Sequence, residues 1–501
     1  MKVVIVHYHL KRGGVTKVLE SSVPLLSDLG HELVVLSSDL PSTDSPLYSY
    51  CQCVPELAYD NDFDIQGESG LARRLLESAR MKLGSSPDIW HFHNHHLGKN
   101  FRLTKAVGDL GQMGEHLLLH IHDFPEDGRQ INYSCLRFAA SAVNKSLSEY
   151  LYPHGEASNI HYGVLNNRDY NILNQSGLTD QNLHLIPNPI SNFESENGIQ
   201  NEASHTRDMI CKKGESQFLL YPSRCIRRKN IGEAILWGLI SSQLDNPYHI
   251  GLTLKPENPK ALDIYNNWVE WGEELALPVS FELGNSSRWS FRDLLNACDG
   301  FLTTSVAEGF GLAFLEPWLM NKGIVGRNLP DITSDFSSIG FDFGESLYDK
   351  IMVPLDWLAH KKIDFIGDFT RAVEQSYDAY SCDLSQDQLQ AALEEMIVEG
   401  RVDFGRLSEN HMNAILAALR SDTDMVLEIV PRELPSLPSS ELIDSNKSVI
   451  LDHYSAEKYV IGLGHIYKSI GEGNAGHGGV VSAEKVLSSF LHPGNFKFLC
   501  T

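Results

Sequence analysis

KVVIVHYHLKRGGVTKVLESSVPLLSDLGHELVVLSS, Lys2 to Ser38, decides the fold. Residues 2 to 7 form a short apolar run that ends in a loop carrying Gly13 and Gly14. VTKVLESSVPLL then has helical spacing, and HELVVLSS reads as a second strand. Strand, glycine loop, helix and strand are the opening of a doubly wound α/β unit. Further strands are expected at Asp88 to Phe92, Leu117 to Ile121 and Leu183 to Ile186, each short, apolar and separated by helical or loop segments. That alternation implies a mostly parallel sheet, with ligands bound near the carboxyl ends of its strands.

The polar stretch Ser191 to Glu215 marks a boundary, after which the pattern restarts. FLLYPSR reads as strand and loop, NIGEAILWGLI as helix, HIGLTLK and VSFELG as strands, FRDLLNACD as helix and GFLTTS as strand. The domains are therefore expected at 1–200, 201–450 and a terminal segment, 451–501, made of a helix and a glycine-rich tail, Gly471 to Gly479, expected to be mobile. Glu345 to Glu433 reads as helical. The 501 residues, 42% hydrophobic and 21% charged, describe an ordinary globular chain. Net charge −24 argues against nucleic acid or anionic lipid as a general partner, because counterion displacement needs a broad basic face. No apolar run approaches membrane-spanning length, so no stable membrane insertion is expected. The eight cysteines lack paired metal spacing and read as reduced thiols of a cytoplasmic protein.

SVAEGFGLAFLEP, Ser305 to Pro317, sets Glu308 and Glu316 around a Gly-Phe-Gly turn that opens a helix, with seven residues between them. Glycines let backbone approach a ligand closely, and a helix N-terminus offers unpaired N–H groups to an anion. A carboxylate at each end grips hydroxyls. The device suits a ligand that is part phosphate and part polyol, which points to a nucleotide sugar. Both glutamates also read as helix-surface acids, which are common at helix starts. Glu316, however, lies between Leu315 and Pro317 in an apolar segment, where a carboxylate wants a partner. Upstream, SRCIRRKN (Ser223 to Asn230) supplies Arg224 and Lys229, cations suited to a departing diphosphate. Alone it also reads as a solvated basic loop.

Together these two segments resemble the donor site of retaining glycosyltransferases of GT-B fold, the large family that includes sucrose synthases and bacterial mannosyltransferases. The resemblance implies two Rossmann-like doubly wound domains facing a central cleft. It implies that Arg224 and Lys229 face the diphosphate without a metal, that Glu308 holds hydroxyls of the transferred hexose, and that Glu316 binds the ribose. Backbone N–H groups of Gly309, Phe310, Gly311 and Leu312 complete the donor contacts. Gly13 and Gly14 fall in the family's glycine loop, and Leu283 with Gly284 falls where its main chain meets the nucleobase. IPNPI, Ile186 to Ile190, occupies the family's Pro-Asn-Gly stretch, and the terminal helix is expected to pack back on the first domain. Ala313 and Pro317 depart from the family's pattern, in which Pro and Ala are usual.

Histidines cluster in HFHNHH and HIHDF. Alternation puts His91, His93 and His95 on one side of an extended segment, a pattern of metal ligands, but no acidic cluster of definite spacing accompanies it and no metal is assigned. His122, followed by Asp123, resembles the family's histidine at the donor hexose; it also reads as a satisfied loop histidine. His93, His96, Lys99 and Asn100 are the acceptor candidates. Lys99 with Lys11 and Arg12 suits a phosphorylated or carboxylated acceptor, although exposed cations are usually just solvated. The resulting expectation is a cofactor-free hexosyltransferase acting with retention on a sugar or other small hydroxylated acceptor. The alternatives are a GT-B sugar-nucleotide epimerase and a non-catalytic nucleotide-sugar-binding protein.

Overall fold

The first sheet is built from β1 (Lys2–Val6), β2 (Glu32–Ser37), β3 (Cys51–Cys53), β4 (Ile89–His93), β5 (Leu117–Ile121), β6 (Ile160–Val164) and β7 (Leu183–Leu185). The computed structural model describes residues 1–60, 70–155, 159–190, 200–211, 217–244, 247–285, 288–473 and 479–500. Strand order is β3-β2-β1-β4-β5-β6-β7, with every neighbouring pair parallel. Helices on both faces explain why strands such as KVVIV and LLLHI are buried along nearly their whole length rather than at alternate positions. The order reverses at β1 and β4, so the crevice for a ligand lies beyond their carboxyl ends. The Gly13-Gly14 loop follows β1, His93 ends β4, and His122 follows β5.

The second sheet comprises β8 (Gln217–Arg224), β9 (Tyr248–Leu254), β10 (Val279–Ser280), β11 (Gly300–Thr303), β12 (Gly323–Arg327) and β13 (Leu347–Tyr348). Its order, β10-β9-β8-β11-β12-β13, reverses at β8 and β11. Arg224 and Lys229 lie at and just after the end of β8, and the Glu308 segment follows β11. Both parts of the expected donor site therefore stand at the topological switch point. The segment expected as a strand over VSFELG pairs only at Val279 and Ser280. The stretch expected to be helical from Glu345 holds β13 and a small two-stranded antiparallel sheet, β14 (Met352–Pro354) with β15 (Arg401–Asp403), whose strands are separated by helices.

The chain divides into two units: residues 1–191, 376–383 and 451–492, and residues 192–375, 384–450 and 493–501. The helix Ala456–Glu472 falls in the first unit, where Tyr459, Leu463, Tyr467 and Ile470 pack against Val3, Ile5, Val18 and Leu19. Residues 493–501 group with the second unit rather than with the terminal helix. Of the polar stretch Ser191 to Glu215, residues 200–210 form a helix; the remainder, Cys211 apart, lies outside the described residues. Residues 474–478 of the glycine-rich tail also lie outside them.

A buried ionic cluster braces the second unit. Arg327 on β12 donates to Glu233 at 2.8 and 2.7 Å and to Asp403 at 2.7 and 2.9 Å, and Tyr348 donates to Glu233 at 2.6 Å. Glu233 sits in the first turn of the helix Ile231–Ser241, which begins directly after Lys229 and Asn230. The network thus ties β12, β13 and β15 to the start of that helix.

Candidate donor site

Lys229 ends a short 3-10 turn, Arg227–Lys229, that leaves β8. Its carbonyl accepts from Tyr221 Oη at 2.8 Å and from Thr304 Oγ1 at 3.0 Å, and the same Thr304 hydroxyl reaches Asn230 O at 2.9 Å. Val306 N donates to Arg228 O at 2.9 Å, so the basic turn and the glutamate segment are stitched together by main chain. Asn230 adopts the left-handed conformation, φ 51°, which asparagine tolerates better than most residues.

Lys229 Nζ donates to Glu308 Oε1 at 2.5 Å, and Arg228 Nη1 donates to Glu308 Oε2 at 3.1 Å and to Ala307 O at 2.9 Å. The Lys229 and Glu308 side chains are only 11% and 9% exposed. Burial pushes the Glu308 carboxyl up, but Lys229 and then Arg228 outweigh it and hold the group below the usual glutamate value. Glu308 is therefore an anion ready to accept hydrogen bonds from hydroxyls. Arg228 was not singled out from sequence. Arg224 pairs with Glu257 at 2.9 Å, with 40% and 80% of the side chains exposed. Such a pair is weak and easily exchanged for a phosphate.

The helix Leu312–Leu319 starts from Gly311, whose φ of 91° lies in the left-handed region. A Cβ there would sit 2.4 Å from Ile332 Cγ2, so both conformation and packing demand glycine. At Gly309 and at Gly14 a Cβ would meet nothing within 4 Å. The neighbouring chain does not require a missing side chain at these two positions, as it does at Gly311. Glu316 is half-buried on the same helix between buried Leu315 and Pro317. Leu283 and Gly284 donate their main-chain N–H groups to Leu252 O and Thr253 O. A main-chain contact from this turn to a base would thus come from carbonyl oxygens.

In the first unit, His122 Nε2 lies 2.8 Å from His93 Nδ1, and His122 N donates to Asn94 Oδ1 at 2.7 Å. Burial, then His7 and His91, lowers His122 to about 3 and keeps it neutral. His93 is 1% exposed and His96 and Asn100 are fully buried. Asn100 caps the helix Phe101–Gln112, accepting from Leu103 N and donating to Glu56 O and Ala58 O, so its side chain is committed to structure. His96 packs against His95, Phe124 and Tyr152. Of the four acceptor candidates only Lys99 is not buried; its ammonium stands 5.6 Å over the Tyr59 ring. His95 turns away from His91 and His93 to Leu151 O at 3.0 Å, and His120 takes the place beside them that alternation assigned to His95.

Two doubly wound parallel-sheet units, with cations and a helix N-terminus gathered at a switch point, define a nucleotide-binding α/β protein of GT-B type. No protein-family profile matches the chain. It is 30% identical over 367 residues to the mannosylglucosyl-3-phosphoglycerate synthase of Petrotoga mobilis, covering 70% of this chain and 69% of that protein. Solved structures with the same fold include Anabaena HepE in complex with UDP and glucose, a glycosyltransferase of Rickettsia africae, and the catalytic domain of Arabidopsis thaliana starch synthase IV bound to ADP and acarbose. HepE matches with TM-score 0.52 and 13% identity over 94% of this chain and 100% of HepE. The Rickettsia protein gives 0.54 and 13% over 94% and 98%, and the starch synthase 0.51 and 11% over 94% and 99%. The chain belongs to the GT-B glycosyltransferases and is a nucleotide-sugar-dependent hexosyltransferase. No helix among the described residues is long and apolar enough to cross a membrane.

Proposed function

We propose that this enzyme transfers a hexosyl group, with retention at the anomeric carbon, from a nucleoside diphosphate hexose to a hydroxyl of a small anionic acceptor of phosphoglycerate type. The observation that carries the reading is the Lys229, Arg228 and Glu308 cluster at the N-terminus of the helix Leu312–Leu319. As the glycosidic bond to the diphosphate breaks, negative charge grows on the leaving phosphate. Lys229, Arg224 and the N–H groups at Gly309 to Leu312 are fixed cations and dipoles suited to meet it, which removes the need for a divalent metal in the transfer step. Glu308, held ionised, accepts from hexose hydroxyls, and Glu316 takes the ribose hydroxyls. Nothing in these motifs serves as an obvious double-displacement nucleophile, so the leaving phosphate oxygen accepts the acceptor's proton as the new bond forms on the same face. His122, neutral, is available to bond a hexose hydroxyl.

The name of the Petrotoga relative carries a 3-phosphoglycerate group. Lys11 and Arg12, exposed on the loop after β1, and half-buried Lys99 fit an acceptor bearing phosphate or carboxylate. All eight cysteines are free thiols, which suits a cytoplasmic enzyme.

The test is a thermal-shift panel of UDP, GDP, ADP and TDP with their common sugars, in chelator, on wild type and Glu316→Ala. A ligand that binds the native state raises its melting point by mass action. Stabilisation by one base series, lost in the variant, supports the donor site. Transfer to phosphoglycerate-type acceptors, with the product anomer read by NMR, then tests acceptor and retention. Turnover of the sugar nucleotide without any acceptor would favour an epimerase instead.

A further inference from the structure

The rings of His7, His91, His93, His120 and His122 stand together on and just after β1, β4 and β5, with neighbouring centroids 4.2 to 6.2 Å apart. Parallel pairing sets His93 directly beside His120, and His91 lies two residues earlier on the same face of β4. His91 Nε2 is 3.2 Å from His120 Nδ1. One ring nitrogen from each of His91, His93 and His120 lies within 4.8 Å of the others. Two imidazoles on a tetrahedral zinc ion have nitrogens about 3.3 Å apart, from Zn–N bonds of about 2.0–2.1 Å.

We propose that His91, His93 and His120 form a binding site for one divalent first-row transition metal ion of the zinc class. Three imidazoles without carboxylates select zinc, nickel or copper over magnesium or calcium. The three side chains are at most 1% exposed, and His93 Nε2 has no hydrogen-bonding partner among the described residues. An unpartnered buried ring nitrogen is costly to leave unmet. Burial first, and neighbouring histidines second, keep all three rings neutral, which is the form that binds metal. The outer contacts match those of a ligating histidine: His91 Nδ1 lies 2.8 Å from Tyr467 Oη, and His93 Nδ1 lies 2.8 Å from His122 Nε2. Such partners fix the tautomer and aim the ring. The ion would join β4 and β5 behind His122 and orient that residue. It takes no part in bond making.

The experiment loads the purified, chelator-treated full chain with Zn²⁺ and counts bound metal by mass spectrometry, with Co²⁺ absorption reporting a tetrahedral nitrogen site. The expected result is one equivalent per chain, weakened at least about tenfold by His93→Gln, by His120→Gln and by the milder Tyr467→Phe, the size of effect known for lost supporting contacts. His161→Gln, in the separate His161 and His184 pair at 2.8 Å, serves as the control and retains the metal. Under a tenth of an equivalent in the wild type overturns the proposal. So does unchanged affinity in both Tyr467→Phe and a folded His93→Gln.

Discussion

Lys229 and Glu308, 79 residues apart in sequence, share a 2.5 Å ion pair that joins the turn after β8 to the segment after β11. The pair is buried, and removing Lys229 leaves the Glu308 carboxylate to the half-exposed Arg228, 3.1 Å away. Lys229→Ala is expected to lower transfer by roughly 10²–10³-fold, the usual cost of one group stabilising developing charge. It also destabilises the fold by up to about 3–5 kcal/mol. The double variant Lys229→Met with Glu308→Leu recovers melting temperature but not activity. Steady-state rates and melting curves check both, and wild-type turnover in Lys229→Ala would remove this residue from the mechanism.

Arg227 and Arg228 are adjacent and have opposite tasks. Arg227 forms a two-point pair with Glu409 at 2.5 and 3.0 Å and donates to Phe498 O at 2.8 Å. Arg227→Ala is expected to cost stability, about 1.5–3 kcal/mol for charged hydrogen bonds, with the donor KM unchanged. Arg228→Ala does the reverse, raising donor KM or lowering kcat at near-native stability. Denaturant melts paired with kinetics separate them.

Gly311→Ala forces a side chain into a left-handed position and against Ile332. About 1–3 kcal/mol of backbone strain is expected before any clash. The helix start shifts and donor affinity falls. The readout is nucleotide binding by calorimetry beside a melting curve, and unimpaired binding would show that the turn tolerates the change.

Glu126 is fully buried with Oε1 accepting from Tyr152 Oη at 2.9 Å, and burial pushes its carboxyl up to about 8. The folded chain therefore holds this proton more tightly than the unfolded chain does. Its contribution to stability is complete below about pH 4.5 and is lost as pH rises through about 8. Glu126→Gln, neutral at every pH, is expected to shrink the fall in melting temperature between pH 6 and pH 9. Parallel pH profiles for both proteins would expose an error if their slopes coincide.

The contrast between Arg227 and Arg228 explains what could be read from the sequence and what could not. Strand β5 falls at Leu117 to Ile121 as expected, and the glycine loop and the Glu308 block are read from local pattern, whereas the switch point comes from the strand order. A 3-10 turn advances three residues per turn, so successive side chains at Arg227, Arg228 and Lys229 point about 120° apart. The one-dimensional pattern does not say which of three neighbouring cations meets Glu308. Strands of two or three residues, such as Leu347–Tyr348 and Arg401–Asp403, are too short to display a period, which is why the region after Glu345 reads as helical. The company of His120 with His91 and His93 is a matter of register between strands and is invisible to alternation along one of them.

The helix that covers the first sheet with Tyr459, Leu463 and Tyr467 is encoded long after the strands it covers. Some 260 residues separate position 191 from position 451, where the first unit resumes for its last segment. At translation rates of about 5–20 residues per second, the sheet leaves the ribosome roughly ten to fifty seconds before its cover exists. During that interval Val3, Ile5 and Val18 form an open apolar face on the nascent chain.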